Sequence, residues 1–308
     1  MRSLKIHIIG FGKVGSAFAY ELAGNGFEVA YITDRHAGDH SDVHDDMKET
    51  RFQTELTADS LIQSDALLFC VQDRNIESAV REAVSLCGDV RGKYFIHTSG
   101  SRTSKVFIES GADPDLSVSL HPIQTFVETS NSSGVLLKDI YFGIEGGQKG
   151  LEFAGSLVES FGSRSVIIPG DKKHLYHAAC VVASNFLVTL MNIAAEFSSE
   201  AGIPKAEMYK VFKPIVERTL DNIEKDGLVN SLTGPFERND IQTIADHLDS
   251  ISGELPSLIP FYTLLGMETV RVAFRKESLN MKNVISILDL MNEYVTSEQK
   301  ISEQLSKE

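Results

Sequence analysis

Residues 6–24 read IHIIGFGKVGSAFAYELAG. A short apolar run meets three glycines, Gly10, Gly12 and Gly15, and passes at once into a helix-like stretch. In a strand–turn–helix setting the three glycines differ in what they permit. Gly10 makes the tight turn, Gly12 lets a pyrophosphate approach the backbone, and Gly15 lets helix and strand pack closely. The helix N-terminus then offers N–H donors and partial positive charge to the phosphates. The stretch therefore predicts a dinucleotide site on the first βα turn, with Phe11, Lys13 and Val14 completing the loop.

Further β-rich runs follow: FEVAYIT, DALLFCV, KYFIHTS, LSVSLHP, IYFGIEG and SVIIP, separated by helix-like stretches. This alternation predicts an α/β fold, a doubly wound and mostly parallel sheet with helices on both faces. After Pro169 the pattern is helical to the end. The expected domains are residues 1–170, nucleotide-binding, and 171–308, all-helical. The uncharged run from Ala178 to Ala195 reaches the lower edge of a membrane-spanning length. Its polar residues Asn185, Thr189 and Asn192 share one helix face, so it reads as a buried core helix with one side turned to a polar cavity.

The chain of 308 residues is 42% hydrophobic and can bury a full core, with a formal charge of −14 from 29 basic and 43 acidic residues. That charge argues against nucleic-acid or anionic-membrane partners. Three cysteines make no paired framework, which points to a reducing, cytoplasmic home.

The second run ends in Asp34-Arg35. An acid there would hold a ribose hydroxyl, while a guanidinium would pair with a 2′-phosphate; the pair leaves NAD and NADP open and tilts to NADP. Beyond it, His36, His40 and His44 recur at four-residue spacing among aspartates. Gly38 and the aspartates interrupt any helix, so this reads as a solvated loop and no metal is expected.

Ligands of such sheets lie outside the carboxyl ends of the strands. There the sequence offers Val71, Gln72 and Asp73, then Thr98, Ser99 and Gly100, then His121 in SLHPIQTF, expected to wall the cleft. Asp73 and Ser99 also suit plain helix caps. Beyond the boundary, Lys173 and His177 share a helix face; either can give a proton to a carbonyl becoming an alkoxide. A solvated first-turn lysine is the competing reading of Lys173.

The strings GFGKVG, VQDRNI, HTSG, SLHPIQTF, KHLYHAACVVASNF and LTGPFERND, which span nearly the whole chain, resemble a family of bacterial oxidoreductases. Its members join a Rossmann-like domain to a C-terminal domain of formerly unknown function. They are relatives of pyrroline-5-carboxylate reductase, 6-phosphogluconate dehydrogenase and the deazaflavin-dependent NADP reductases, and some are ketopantoate reductases. The resemblance implies a nicotinamide-dependent reductase whose helical domain commonly forms a homodimer. In the hydroxyacid dehydrogenase relatives a lysine, and an asparagine four residues on, serve the substrate. Here Lys173 matches the lysine and His177 replaces the asparagine, so His177 or His121 can assist, with Asn185 orienting the carbonyl. Asn239 stands where the family more usually has glycine, and residues 233–240 either close the pocket or, through Asp240, cap a helix. The expected substrate is a small carbonyl acid, 2-dehydropantoate first, with an imine such as a pyrroline carboxylate second. A protein that senses NAD(P) without turnover is the rival from another class.

Overall fold

A computed structural model describes residues 4–35, 47–126 and 137–305, with side chains to 296. The chain divides into two compact units, Met1–Leu187 and Val188–Glu308. The division falls one helix later than the expected boundary at 170, because the first helix beyond that point is tied to the sheet by Lys173.

The first unit is built on one eight-stranded sheet. Its strands are β1 (Lys5–Ile9), β2 (Glu28–Thr33), β3 (Arg51–Gln53), β4 (Ala66–Phe69), β5 (Tyr94–His97), β6 (Ser117–Pro122), β7 (Tyr141–Gly146) and β8 (Arg164–Ile167). They lie in the order β3-β2-β1-β4-β5-β6-β7-β8, every pair parallel except β6 with β7. The first six follow the Rossmann order, as the alternation of strands and helices predicts. The sequence does not announce β3: with Phe52 alone apolar, it has no strand pattern of its own and forms by pairing with β2.

Side chains alternate across the sheet and divide the core in two. Ile6, Ile8 and Leu68 face α1 (Lys13–Gly24) and α5 (Gln148–Ser160), whose Phe18, Leu22 and Leu157 fill that layer. Ile9, Leu67, Phe69 and Phe95 face the opposite layer, filled from α2 (Ala58–Gln63), α3 (Asp73–Cys87) and α4 (Lys105–Ile108) by Leu61, Val80 and Phe107. Each fully buried aromatic or leucine contributes up to ~3 kcal/mol relative to exposure.

α6 (Lys173–Ala183) ends at a break at Ser184, after which α7 (Asn185–Glu200) begins. The expectation of one buried core helix over this run is corrected. Among α6 and α7 only Lys173, Ala195 and Ser198 are buried, while Leu175 is 72% and Val188 70% exposed.

The second unit adds α8 (Lys205–Asn230), which contains Pro214 and turns out of helical geometry at Gly227, then α9 (Ile241–Glu254), α10 (Ile259–Arg275) and α11 (Met281–Leu305). Its core joins Ile244 and Leu248 of α9, Val270 and Ala273 of α10, and Ile287 and Met291 of α11. Asp240 caps α9, its carboxylate accepting from Thr243 N at 3.2 Å and Thr243 Oγ1 at 2.8 Å. Of the two readings of LTGPFERND, capping is therefore observed. Asn239 adopts a left-handed φ of 55° there, a conformation glycine takes without strain.

Candidate active site

The glycine loop has the geometry its spacing predicts. Gly10 turns with φ +98°, its N–H donating to Thr33 O at 2.8 Å. A Cβ on Gly15 would collide with Gly10 O, and one on Gly10 would lie 2.8 Å from Cys70 O and 3.0 Å from Val71 Cγ1. At Gly12 a Cβ would meet nothing within 4 Å. Two glycines are thus closed in by the protein, and the third faces free space where a pyrophosphate can approach. Lys13 and Val14 open α1 behind it.

Asp34 turns toward this loop, its carboxylate accepting from Phe11 N at 3.2 Å. Arg35 points outward and pairs with Glu82 of α3 at 2.9 Å. His36, His40 and His44 lie outside the described residues.

Gln72 precedes the first turn of α3, and Asp73 begins it. Asp73 accepts from Ser99 Oγ at 2.7 Å and Ser101 Oγ at 2.8 Å, and Ser99 Oγ in turn accepts from Arg102 N at 3.0 Å. Thr98 continues β5, its N–H donating to Phe69 O at 3.3 Å. The ends of β4 and β5 are therefore tied into one rim beside the glycine loop.

Lys173 lies under that rim. It is fully buried, with Nζ donating to Ser119 Oγ at 2.5 Å and Ser99 O at 3.2 Å. The solvated first-turn reading is excluded. Burial pushes its ammonium down to about 8, with Glu145 and Asp73 pulling the other way. Glu145 does not pair with it directly; its carboxylate accepts from Ser104 N at 2.8 Å and Ser104 Oγ at 3.0 Å.

His121 follows Ser119 on the same face of β6. Its Nδ1 lies 2.7 Å from the Tyr176 hydroxyl, the rings edge to face with centroids 5.6 Å apart. Burial, then the charges of Lys173 and His177, push its imidazole down to about 4, so it is neutral at neutral pH. His177 also packs here: its Nδ1 and His121 Nε2 would lie 2.5 and 2.8 Å from a Cβ on Gly100, so only glycine fits beneath the two rings. Gly143 leaves the same kind of room under Tyr176.

Lys173, His121 and His177 are thus brought together, and Asn185 is not. Asn185 opens α7, exposed, beyond the break at Ser184. At 1.5 Å per residue it lies roughly 18 Å along the helical run from Lys173, too far to bond the same substrate oxygen within one chain. Sequence reading missed Tyr176 and Ser119. The signal was available: Tyr176 is three residues after Lys173 on one helix face, and Ser119 two before His121 on one strand face.

Residues 5–99 match the family model described as NADP oxidoreductase, coenzyme F420-dependent. Residues 140–269 match that of a domain of unknown function, DUF2520. The chain joins an NADP oxidoreductase domain to a DUF2520 domain. Solved structures share this fold. Protein TM1727 of Thermotoga maritima is 23% identical at TM-score 0.69, the match covering 88% of this chain and 99% of that one. A candidate NADP oxidoreductase of Bacteroides fragilis is 20% identical at 0.63, covering 87% and 98%. Pyrroline carboxylate reductase of Plasmodium falciparum, solved with NADP bound, is 12% identical at 0.58, covering 93% and 99%. No curated protein matches the chain.

For this NADP-dependent oxidoreductase the nicotinamide supplies or accepts hydride, and the glycine loop has the open approach its pyrophosphate needs. The Arg35–Glu82 pair is exposed and costs little to break, ~1 kcal/mol or less. Arg35→Ala is expected to weaken NADPH binding by about 10-fold or more and NADH binding hardly at all, because the 2′-phosphate alone would bond the guanidinium. Fluorescence titration with both cofactors checks this; equal losses would return recognition to Asp34.

Proposed function

We propose that this oxidoreductase reduces a small carbonyl acid with NADPH, 2-dehydropantoate being the first substrate to try. The observation that carries the reading is the buried ammonium of Lys173 beneath the rim bearing His121. Hydride addition to a carbonyl places negative charge on oxygen. A unit charge about 7 Å away, at an effective dielectric near 20, stabilises that charge by about 2 kcal/mol. The same ammonium works against an iminium, which arrives positive. Ser119 fixes Lys173, and His121 and Tyr176 present hydrogen-bonding groups above it. The acid part of the proposal rests on the resemblance to ketopantoate reductases.

A second reading is favoured by the neutral His121: an imine brings its own proton and asks less of an acid. The Plasmodium relative is such an enzyme by name. Steady-state NADPH oxidation with 2-oxo acids and with cyclic imino acids separates the two. The carbonyl reading expects kcat/KM about 1000-fold higher for an oxo acid, the ~4 kcal/mol difference that the ~2 kcal/mol Lys173 effect gives when it acts with opposite sign on the two substrates. The reverse order makes the protein an imine reductase; tight NADPH binding with turnover of neither makes it a sensor.

We further propose that a second copy covers the exposed apolar surface of α6 to α8 in a reducing, cytoplasmic setting. Leu175, Val182, Phe186 and Val188 lie open on α6 and α7, and Val211, Ile215, Leu220 and Leu228 on α8. Each unit thus bares several large apolar side chains on these helices, a surface that soluble monomers seldom leave uncovered. Light scattering on the purified chain is expected to give a dimer; a monodisperse monomer at micromolar concentration would remove this proposal.

A further inference from the structure

Tyr176 has no part in the reading from sequence, yet the site is shaped around it. Gly143 makes room for its ring, because any Cβ there would run into the phenol. Its oxygen meets two groups: His121 Nδ1, at 2.7 Å, and the thiol of Cys180, one helical turn on. The single phenol O–H goes to Nδ1, because a neutral imidazole nitrogen is a far stronger acceptor than sulfur. A neutral imidazole that accepts at Nδ1 carries its own proton at Nε2. Nε2 makes no hydrogen bond to the described residues and sits over Gly100, at the carboxyl rim of β5.

We propose that Tyr176 and His121 form a proton relay, with Nε2–H of His121 the group that protonates the substrate oxygen. The inference deepens the carbonyl-reductase reading and rests on it. As the carbonyl carbon receives hydride, the C–O π pair moves to oxygen, and that oxygen takes the proton from Nε2. The Tyr176 O–H bond breaks in the same step and its proton passes to Nδ1. The imidazole stays neutral with its proton moved from one nitrogen to the other, and the charge ends as a phenolate that water reprotonates. The direction is downhill because an alkoxide is a stronger base than a phenolate. Lys173, held under the rim by Ser119, opposes the negative charge throughout. His121 is then the catalytic residue, and Tyr176 is the positioning residue that fixes its tautomer and resupplies its proton.

Two measurements on the full chain test this. Nitrogen NMR of the histidine-labelled protein, with no ligand added, should show His121 protonated at Nε2 in the wild type and a tautomer mixture in Tyr176→Phe. A wild type protonated at Nδ1 overturns the relay. The second is a proton inventory on kcat in mixtures of light and heavy water, run with the best carbonyl substrate. The wild type should give a curved dependence, two protons in flight. Tyr176→Phe should give a straight one, with kcat lowered by about 100- to 1000-fold and KM for NADPH unchanged. A straight wild-type dependence, or Tyr176→Phe turnover within a few-fold of wild type, overturns the relay while leaving the reductase reading standing. A wild type that reduces no carbonyl overturns both. The wild-type tautomer and inventory need no variant, so they decide even if Tyr176→Phe fails to fold.

Discussion

Lys173→Met is expected to lower turnover by about 30-fold, the rate equivalent of its ~2 kcal/mol of charge stabilisation, while NADPH affinity stays nearly unchanged. Methionine keeps most of the volume, so the loss isolates the charge. The same substitution carries a stability signature that a surface lysine would lack. In the folded protein the ammonium titrates at about 8, against the ordinary 10.5 of an unfolded chain. Between those two values the unfolded state holds the extra proton, so wild-type stability rises with pH across that window. Below pH 8 the buried charge costs its full amount, about 3 kcal/mol, offset in part by its two hydrogen bonds. Urea unfolding at pH 7 and at pH 10.5 should therefore show the wild type gaining on Lys173→Met by up to about 3 kcal/mol. Parallel curves, or undiminished turnover, would mean that Lys173 is neither buried as a cation nor felt by the reaction.

The second large effect concerns the glycine loop and separates folding from binding. Gly15→Ala puts a methyl group into Gly10 O, so α1 must move away from β1. Overpacking of this kind costs ~1–3 kcal/mol, and NADPH binding should fall by about 100-fold or more because the helix N-terminus leaves its place. Gly12→Ala meets nothing in the protein and should melt with the wild type, yet it fills the space the pyrophosphate needs. Its NADPH affinity should fall by at least about 10-fold, a steric loss. Thermal unfolding and fluorescence titration of both variants give the answer. Wild-type affinity in Gly12→Ala would show that the cofactor phosphates lie elsewhere.

What could be read in advance follows the range of the forces involved. The glycine loop is a local device, fixed by six residues and their flanking strand and helix, and it folds as read. Seven strands announce themselves through apolar runs, whereas β3, with Phe52 between Arg51 and Gln53, exists only through its neighbour β2. The apolar run after Ala178 misleads because apolar composition does not by itself say that a segment packs into the chain's own core. Lys173 is visible as a candidate, but its burial depends on Ser99 and Ser119, more than fifty residues away in the chain. Tyr176 is hidden for the same reason. Its spacing from Lys173 puts it on the same helix face, but its role shows only once β6 and β7 bring His121 and Gly143 beneath the ring.

The most direct test of the account is the structure of the protein bound to NADP and an unreactive 2-oxo acid analogue. It should place the analogue's carbonyl oxygen within about 3.2 Å of His121 Nε2, with the nicotinamide ring beside it at the rim above Lys173. A nicotinamide more than about 8 Å from His121, His177 and Lys173 alike, well beyond hydrogen-bond reach, would contradict it.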